Sequence, residues 1–252
     1  MVEASSQTAP PGIFEERLTG AFARDAFATA LPLLALGGFF LGVGWSIAGA
    51  LVLGLGVFIG FFFRNPTRAI PGDERTVVAP ADGRVIEAGE IELADGRKAL
   101  RVGIFLSVFD VHVNRAPVAG RVKSLERAGE RFLAAFNREA ESHNVRLTME
   151  LETAGGQRVD VVQITGFIAR RIVCHPQVGA WLTRGVRYGL IRFGSRTDVV
   201  LPLESELLVE RKSRVRGGSS VIARLPATGL PAAKGPPGAE GNDREAPEKE
   251  RT

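Results

Sequence analysis

The 252-residue chain carries 32 Lys and Arg against 28 Asp and Glu, for a formal net charge of +4 and a pI near 9.7. That balance suits work beside anionic lipid, where a juxtamembrane cation contributes about 1 kcal/mol, but no basic stripe with interleaved aromatics accompanies it, which argues against a nucleic-acid partner. The single cysteine, Cys174, excludes an intrachain disulfide and a Cys-based zinc cluster, and reads as a small buried hydrophobe.

Residues 1–26 open with a polar, Pro-containing stretch, and Phe14 to Ala26 has the pattern of an amphipathic helix lying on a membrane. Phe27 to Phe63 follows, 37 residues without Asp, Glu, Lys or Arg. One helix of that length would rise about 55 Å against a hydrocarbon core of about 30 Å, so two short passes fit better. The Gly37-Gly38 pair and Gly42 to Ser46 are the expected places for the reversal, with Trp45 suited to an interface. Such a hairpin puts Arg17, Arg24, Arg64 and Arg68 on one side, the cytoplasmic one by the positive-inside tendency. It stops at Arg64-Asn65-Pro66, because the residue before a proline is pushed out of helical space.

From Thr76 the texture becomes short Val, Ile and Leu runs separated by glycine turns, which reads as antiparallel β. Expected strands are Thr76–Val78, Arg84–Ala88, Ala99–Phe105, Val118–Leu125, Arg146–Leu151, Val159–Ile164, Arg187–Phe193, Val199–Leu201 and Glu206–Val209, and Asp95-Gly96 is a hairpin turn between Ile91–Leu93 and Ala99–Val102. Helices are expected over Arg131–Glu141 and Pro176–Arg184. The fold class is mainly β (α+β): residues 64–224 form the β-rich domain, and 225–252, mostly Pro, Gly, Ala and charge, form a disordered tail.

Three stretches could carry chemistry. Asp82 stands in the turn Ala79-Pro80-Ala81-Asp82-Gly83, where Asp-Gly is also ordinary turn chemistry. His112 follows an apolar strand in Phe109-Asp110-Val111-His112-Val113-Asn114-Arg115-Ala116-Pro117, a strand end of the kind on which sites are built. Ser195 stands behind Gly194, after the strand-like run Val186 to Ile191, where its hydroxyl can turn back on the preceding carbonyl. Together Asp82, His112 and Ser195 supply an acid, a base and a hydroxyl, a set recognised by geometry rather than chain order. No G-x-S-x-G elbow is present to favour a hydrolase. His143 and His175 have nothing around them that marks a site.

Those motifs, with Phe62-Phe63-Arg64-Asn65-Pro66 before them and Gly166-Phe167-Ile168-Ala169-Arg170-Arg171 and Phe193-Gly194-Ser195 after, resemble the phosphatidylserine decarboxylase proenzyme family in its short form, over roughly Phe62 to Leu208. The resemblance implies a barrel-like double β-sheet behind the hydrophobic helical hairpin. It also implies self-cleavage between Gly194 and Ser195, with Ser195 ending as a covalent pyruvoyl group. That carbonyl condenses with the amine of phosphatidylserine and accepts the electrons released as carbon dioxide leaves, so neither a metal nor an external cofactor is expected. By the same resemblance Ser195 is the pyruvoyl precursor, His112 the base or proton donor, and Asp82 the acid that orients or charges it. Arg115, Arg170 and Arg171 are candidates to hold phosphate or carboxylate. Longer family members carry a second histidine three positions after the first, usually assigned to self-cleavage; Arg115 stands there, and arginine cannot act as a general base. The implied partners are phosphatidylserine, the bilayer and the chain's own two cleavage fragments paired as a heterodimer, on the cytoplasmic face of the cell membrane. The rival readings are a membrane-anchored carrier or binding module that never cuts itself, and a serine hydrolase using Asp82, His112 and Ser195.

Overall fold

A computed structural model describes residues 12–14, 24–133, 143–166, 172–191 and 195–227. Two helices, α1 (Arg24–Gly42) and α2 (Ser46–Phe62), precede the strands. They run antiparallel through the turn Val43 to Trp45, where Gly44 takes a φ of +85°. The Gly37-Gly38 pair therefore lies inside α1 and is not the reversal. Gly37 packs on Leu53, Gly49 on Leu41 and Gly56 on Leu34 so closely that a Cβ at any of the three would come within 3 Å of the opposing leucine. Small residues on the contact line let the two backbones approach. The outer surface is apolar, with Phe39, Trp45, Ile47, Leu51 and Val57 exposed. Among the described residues no helix is long and apolar enough to cross a membrane.

The strands are β1 (Thr76–Val78), β2 (Gly83–Glu92), β3 (Lys98–Leu106), β4 (Val113–Arg115), β5 (Gly120–Ala128), β6 (Arg146–Glu152), β7 (Arg158–Ile164), β8 (Ile172–Cys174), β9 (Trp181–Leu182), β10 (Arg187–Ile191), β11 (Ser195–Leu201), β12 (Glu206–Leu207), β13 (Arg214–Val215) and β14 (Val221–Arg224). Eight of them make one curled antiparallel sheet in the order β13-β2-β3-β11-β7-β6-β5-β9. Two three-stranded sheets, β4-β10-β8 and β1-β14-β12, complete the fold where the resemblance implied a barrel-like double sheet. Alternation drives the long strands: along β6, Leu147, Met149 and Leu151 point inward while the residues between them are half-exposed. Val102, Ile104, Val161, Leu182, Tyr188 and Val199 share the main core.

Three expectations change. Pro176–Arg184 is not a helix: Gly179 takes a φ of +91°, and Trp181 pairs with Arg121 at the edge of the large sheet as β9. Ser195 begins β11, four residues ahead of the predicted strand. The fold also runs past residue 224. Leu225 is 1% exposed in the core, its N–H donates to the Arg75 carbonyl at 2.8 Å, and the Pro226 carbonyl accepts from Gln157. Leu225→Ala is accordingly expected to cost about 2–5 kcal/mol, measured by urea unfolding. The rest of the tail, most of the segment before Arg24 and residues 134–142 of the expected helix Arg131–Glu141 lie outside the described residues.

Candidate active site

Ser195, His112 and Asp82 arrive at one end of the large sheet from three directions. Ser195 opens β11 and pairs with Leu106, the last residue of β3. One step along, Arg84 of β2, Phe105 of β3 and Arg196 of β11 form a lateral row, so Asp82, just before β2, stands at the same end as Ser195. Gly83 makes this possible, since a Cβ there would lie 2.2 Å from the Phe105 carbonyl oxygen. From Leu106 the chain passes through the turn Ser107 to Asp110 into His112, whose carbonyl accepts from Ile191 N–H at 3.4 Å. That turn is locked by the Asp110 carboxylate, which accepts from Ser107 N at 2.9 Å and Ser107 Oγ at 2.7 Å, and from Arg214 at 3.2 Å.

His112 is 3% exposed. Its Nδ1 lies 3.0 Å from the Asp110 carbonyl oxygen, which can only accept, so the ring proton is on Nδ1 and Nε2 is left with a lone pair. Phe62, at the end of α2, lies over the imidazole with ring centroids 4.2 Å apart and planes 36° apart. Ala30, Ile59, Phe62 and Phe63 of the helical pair and the residue that follows it pack as one apolar cluster with Val111, Val113 and Leu190 around the histidine. Burial in this cluster lowers the His112 pKa to about 4, against smaller upward pulls from the Asp110 carbonyl and carboxylate.

Asp82 has both oxygens engaged: Oδ1 accepts from Gly217 N–H at 2.7 Å and Oδ2 from Arg68 at 2.8 Å. Burial pushes its carboxyl upward, opposed by the Gly217 hydrogen bond and the Arg68 charge. It therefore meets Arg68, and the His112 ring is oriented by Asp110. Ser195 is fully buried, and its Oγ has no hydrogen-bond partner among the described residues. The next residue is clamped, Arg196 Nε donating to Asp198 at 2.6 Å and its Nη2 to Glu87 at 2.7 Å.

The candidate anion-binding cations fare differently. Arg115 is 7% exposed and donates to the carbonyls of Gly185 at 3.0 Å and Pro66 at 2.8 Å, which makes it an internal brace between loops. Arg170, Arg171 and Gly194 lie outside the described residues. His143 is exposed before β6, and His175 follows β8 with its N–H on the Tyr188 carbonyl. Burial pushes the Cys174 thiol up to about 12, which keeps it protonated.

Sequence reasoning missed Phe62 as a neighbour of the histidine, Arg68 as the partner of Asp82, and the buried polar residues Asn114, Gln163 and Thr197 beside Ser195. A signal for Gln163 existed: it breaks the inward series Val159, Val161 on β7.

Known proteins place this arrangement. The phosphatidylserine decarboxylase family model matches residues 55–223. A protein of Symbiobacterium thermophilum named phosphatidylserine decarboxylase proenzyme is 49% identical over 206 residues, covering 81% of this chain and 95% of its own. Proteins of the same name from Citrifermentans bemidjiense and Geobacter sulfurreducens are 48% identical over 201 residues and 47% over 178, covering 79% and 70% of this chain and 92% and 82% of theirs. With the match running from within α2 into β14, and so through Asp82, His112 and Ser195, the chain belongs to the phosphatidylserine decarboxylase family.

Proposed function

We infer that this chain is a self-processing proenzyme that decarboxylates phosphatidylserine to phosphatidylethanolamine through a pyruvoyl group made from Ser195. The observation that carries the reading is the buried Ser195 Oγ, without a hydrogen-bond partner among the described residues, at the head of a strand held on both sides, in a family whose relatives are named proenzymes. No hydrogen bond among the described residues ties that hydroxyl down, which leaves it available to attack the carbonyl of Gly194. The C–N bond of that peptide breaks, an ester forms on Oγ, and the nitrogen of residue 195 becomes a free amine. His112, neutral with its Nε2 lone pair, takes the hydroxyl proton. Loss of the α-proton then expels the Gly194 carboxylate, and hydrolysis of the dehydroalanyl end releases ammonia and leaves the pyruvoyl group.

Once formed, that group supplies an electrophile for the lipid's amine and an electron sink for the bond to the departing carboxylate. The protein's own work is placement. Arg196, gripped by Asp198 and Glu87, keeps the new end of the chain in β11, between β3 and β7 of the larger fragment, so the two fragments stay paired as a heterodimer. Phe62 and its cluster keep water from His112. Asp82 contributes a negative charge braced by Arg68, acting on the site through space. We assign Arg170 and Arg171 to the lipid phosphate or carboxylate, and the apolar sides of α1 and α2 to the cytoplasmic face of the cell membrane.

Intact-mass analysis of the purified protein tests the reading. Two polypeptides divided before residue 195 are expected, the smaller lacking a free α-amine. An uncut chain that turns over phosphatidylserine would overturn it.

A further inference from the structure

The inner face of the large sheet changes character along β11. Val199 and Leu201 belong to the apolar core, whereas Ser195 and Thr197, which share their parity and so their face, are polar and fully buried. Gln163 is the register partner of Thr197 on β7 and is 1% exposed. Its Nε2 donates to Asn114 Oδ1 at 2.7 Å, and Asn114 Nδ2 donates to Thr197 Oγ1 at 3.4 Å. In this arrangement Gln163 Oε1 is turned away from Asn114. That oxygen is buried and has no hydrogen-bond partner among the described residues. A buried acceptor left unmatched costs about 1–3 kcal/mol. Through Asn114 and Thr197 it is linked to both ends of the candidate site: Asn114 stands two residues after His112, and Thr197 two after Ser195 on the same face of β11.

We propose that Gln163 Oε1 accepts a hydrogen bond from the primary amine of the serine head group and so positions that nitrogen against residue 195. This rests on the function proposed above and names a residue for its amine-binding step. The chemistry of the acceptor suits the task. A carboxylate would stabilise the ammonium and hold its proton, whereas a neutral amide oxygen directs one N–H and favours the charged form far less, leaving the nitrogen lone pair available for the carbonyl. A head group whose nitrogen bears no hydrogen would leave the oxygen unmatched, so the same contact disfavours quaternary amines.

The test uses the full chain with phosphatidylserine in mixed micelles. Cyanoborohydride traps the lipid amine on the small fragment, and the adduct is weighed at graded lipid concentrations. Gln163→Met keeps the length and removes the acceptor; it is expected to cut itself like the wild type, while half-saturation of trapping rises about tenfold, the loss of one hydrogen bond. KM should rise with it by more than kcat falls. Gln163→Glu, whose carboxylate would hold the ammonium protonated, should not restore wild-type trapping. Should Gln163→Met fail to accumulate as folded protein, Gln163→Asn, which withdraws the amide by one methylene, is read the same way. A cut variant with an unmoved trapping curve overturns the assignment of Gln163 alone. Absence of the cut or of any trapped lipid in the wild type overturns the decarboxylase reading beneath it.

Discussion

Alanine at position 195 is expected to give one uncut chain with no detectable decarboxylation of phosphatidylserine. The expectation separates chemistry from folding, because Ser195 Oγ makes no hydrogen bond among the described residues and is fully buried. Deleting a satisfied hydroxyl would leave its partner stranded; deleting an orphan removes a group whose own desolvation costs about 1–3 kcal/mol. The Ser195→Ala protein should therefore melt at the same temperature as the uncut wild type or above it. The β11 registers with β3 and β7, being main-chain contacts, remain available to it. A denaturing gel and a thermal melt on the same preparation read both halves. A variant that still divides before residue 195, or an uncut one that still turns over, would remove Ser195 from the mechanism.

Much of the fold is legible in the sequence where a strand is long enough for parity to repeat. Arg146–Leu151 and Val159–Ile164 announce themselves as half-buried strands, and β6 and β7 span those residues with one more at an end. Strands of two to four residues, such as β9 and β13, show no period, and only pairing with a neighbour defines them. The segment around Trp181 reads as a helix by composition, and the open edge of β5 overrides that preference. The site divides in the same way. Asp82 and His112 stand out as polar residues at strand ends in short motifs. Cross-strand register is what no local pattern carries: Gln163 opposite Thr197, Leu106 opposite Ser195, and a phenylalanine from the apolar run seated on the histidine.

That last contact changes what the hydrophobic run is for. Phe62, 1% exposed, is at once the end of α2 and a wall of the His112 environment, so the segment that reads as an anchor also shapes the site. The Arg64 guanidinium, next but one in the chain, donates to the carbonyls of Phe61 at 2.9 Å and Phe109 at 2.6 Å, tying the end of the helix to the turn that orients the histidine. Movement of α2 away from the sheet would thus hydrate His112 and release that turn together.

Replacing His112 by alanine is expected to slow self-cleavage by about 10²- to 10⁴-fold, the usual worth of a positioned base, while Phe62→Ala should move its pH dependence instead. In the intact protein burial holds His112 at about 4, so the imidazole is neutral and can accept a proton through most of the acidic range, and the acid limb of the cleavage rate should lie near 4. The charges facing it are Asp110, which raises its pKa, and Arg64, which lowers it. Removing the Phe62 ring admits water and leaves those two charges in place, so the limb should move up toward the ordinary value of about 6.5. Stability follows with a definite sign. A histidine kept neutral by burial binds fewer protons folded than unfolded, so the native state loses stability as pH falls from about 6.5 to about 4 and loses no more below that. The full loss is roughly 3 kcal/mol, and Phe62→Ala should shrink it even as it lowers stability at neutral pH through the cavity it opens. Cleavage time courses and urea midpoints at pH 4 to 8 read both, and an acid limb that stays put in Phe62→Ala would mean that some other group sets it.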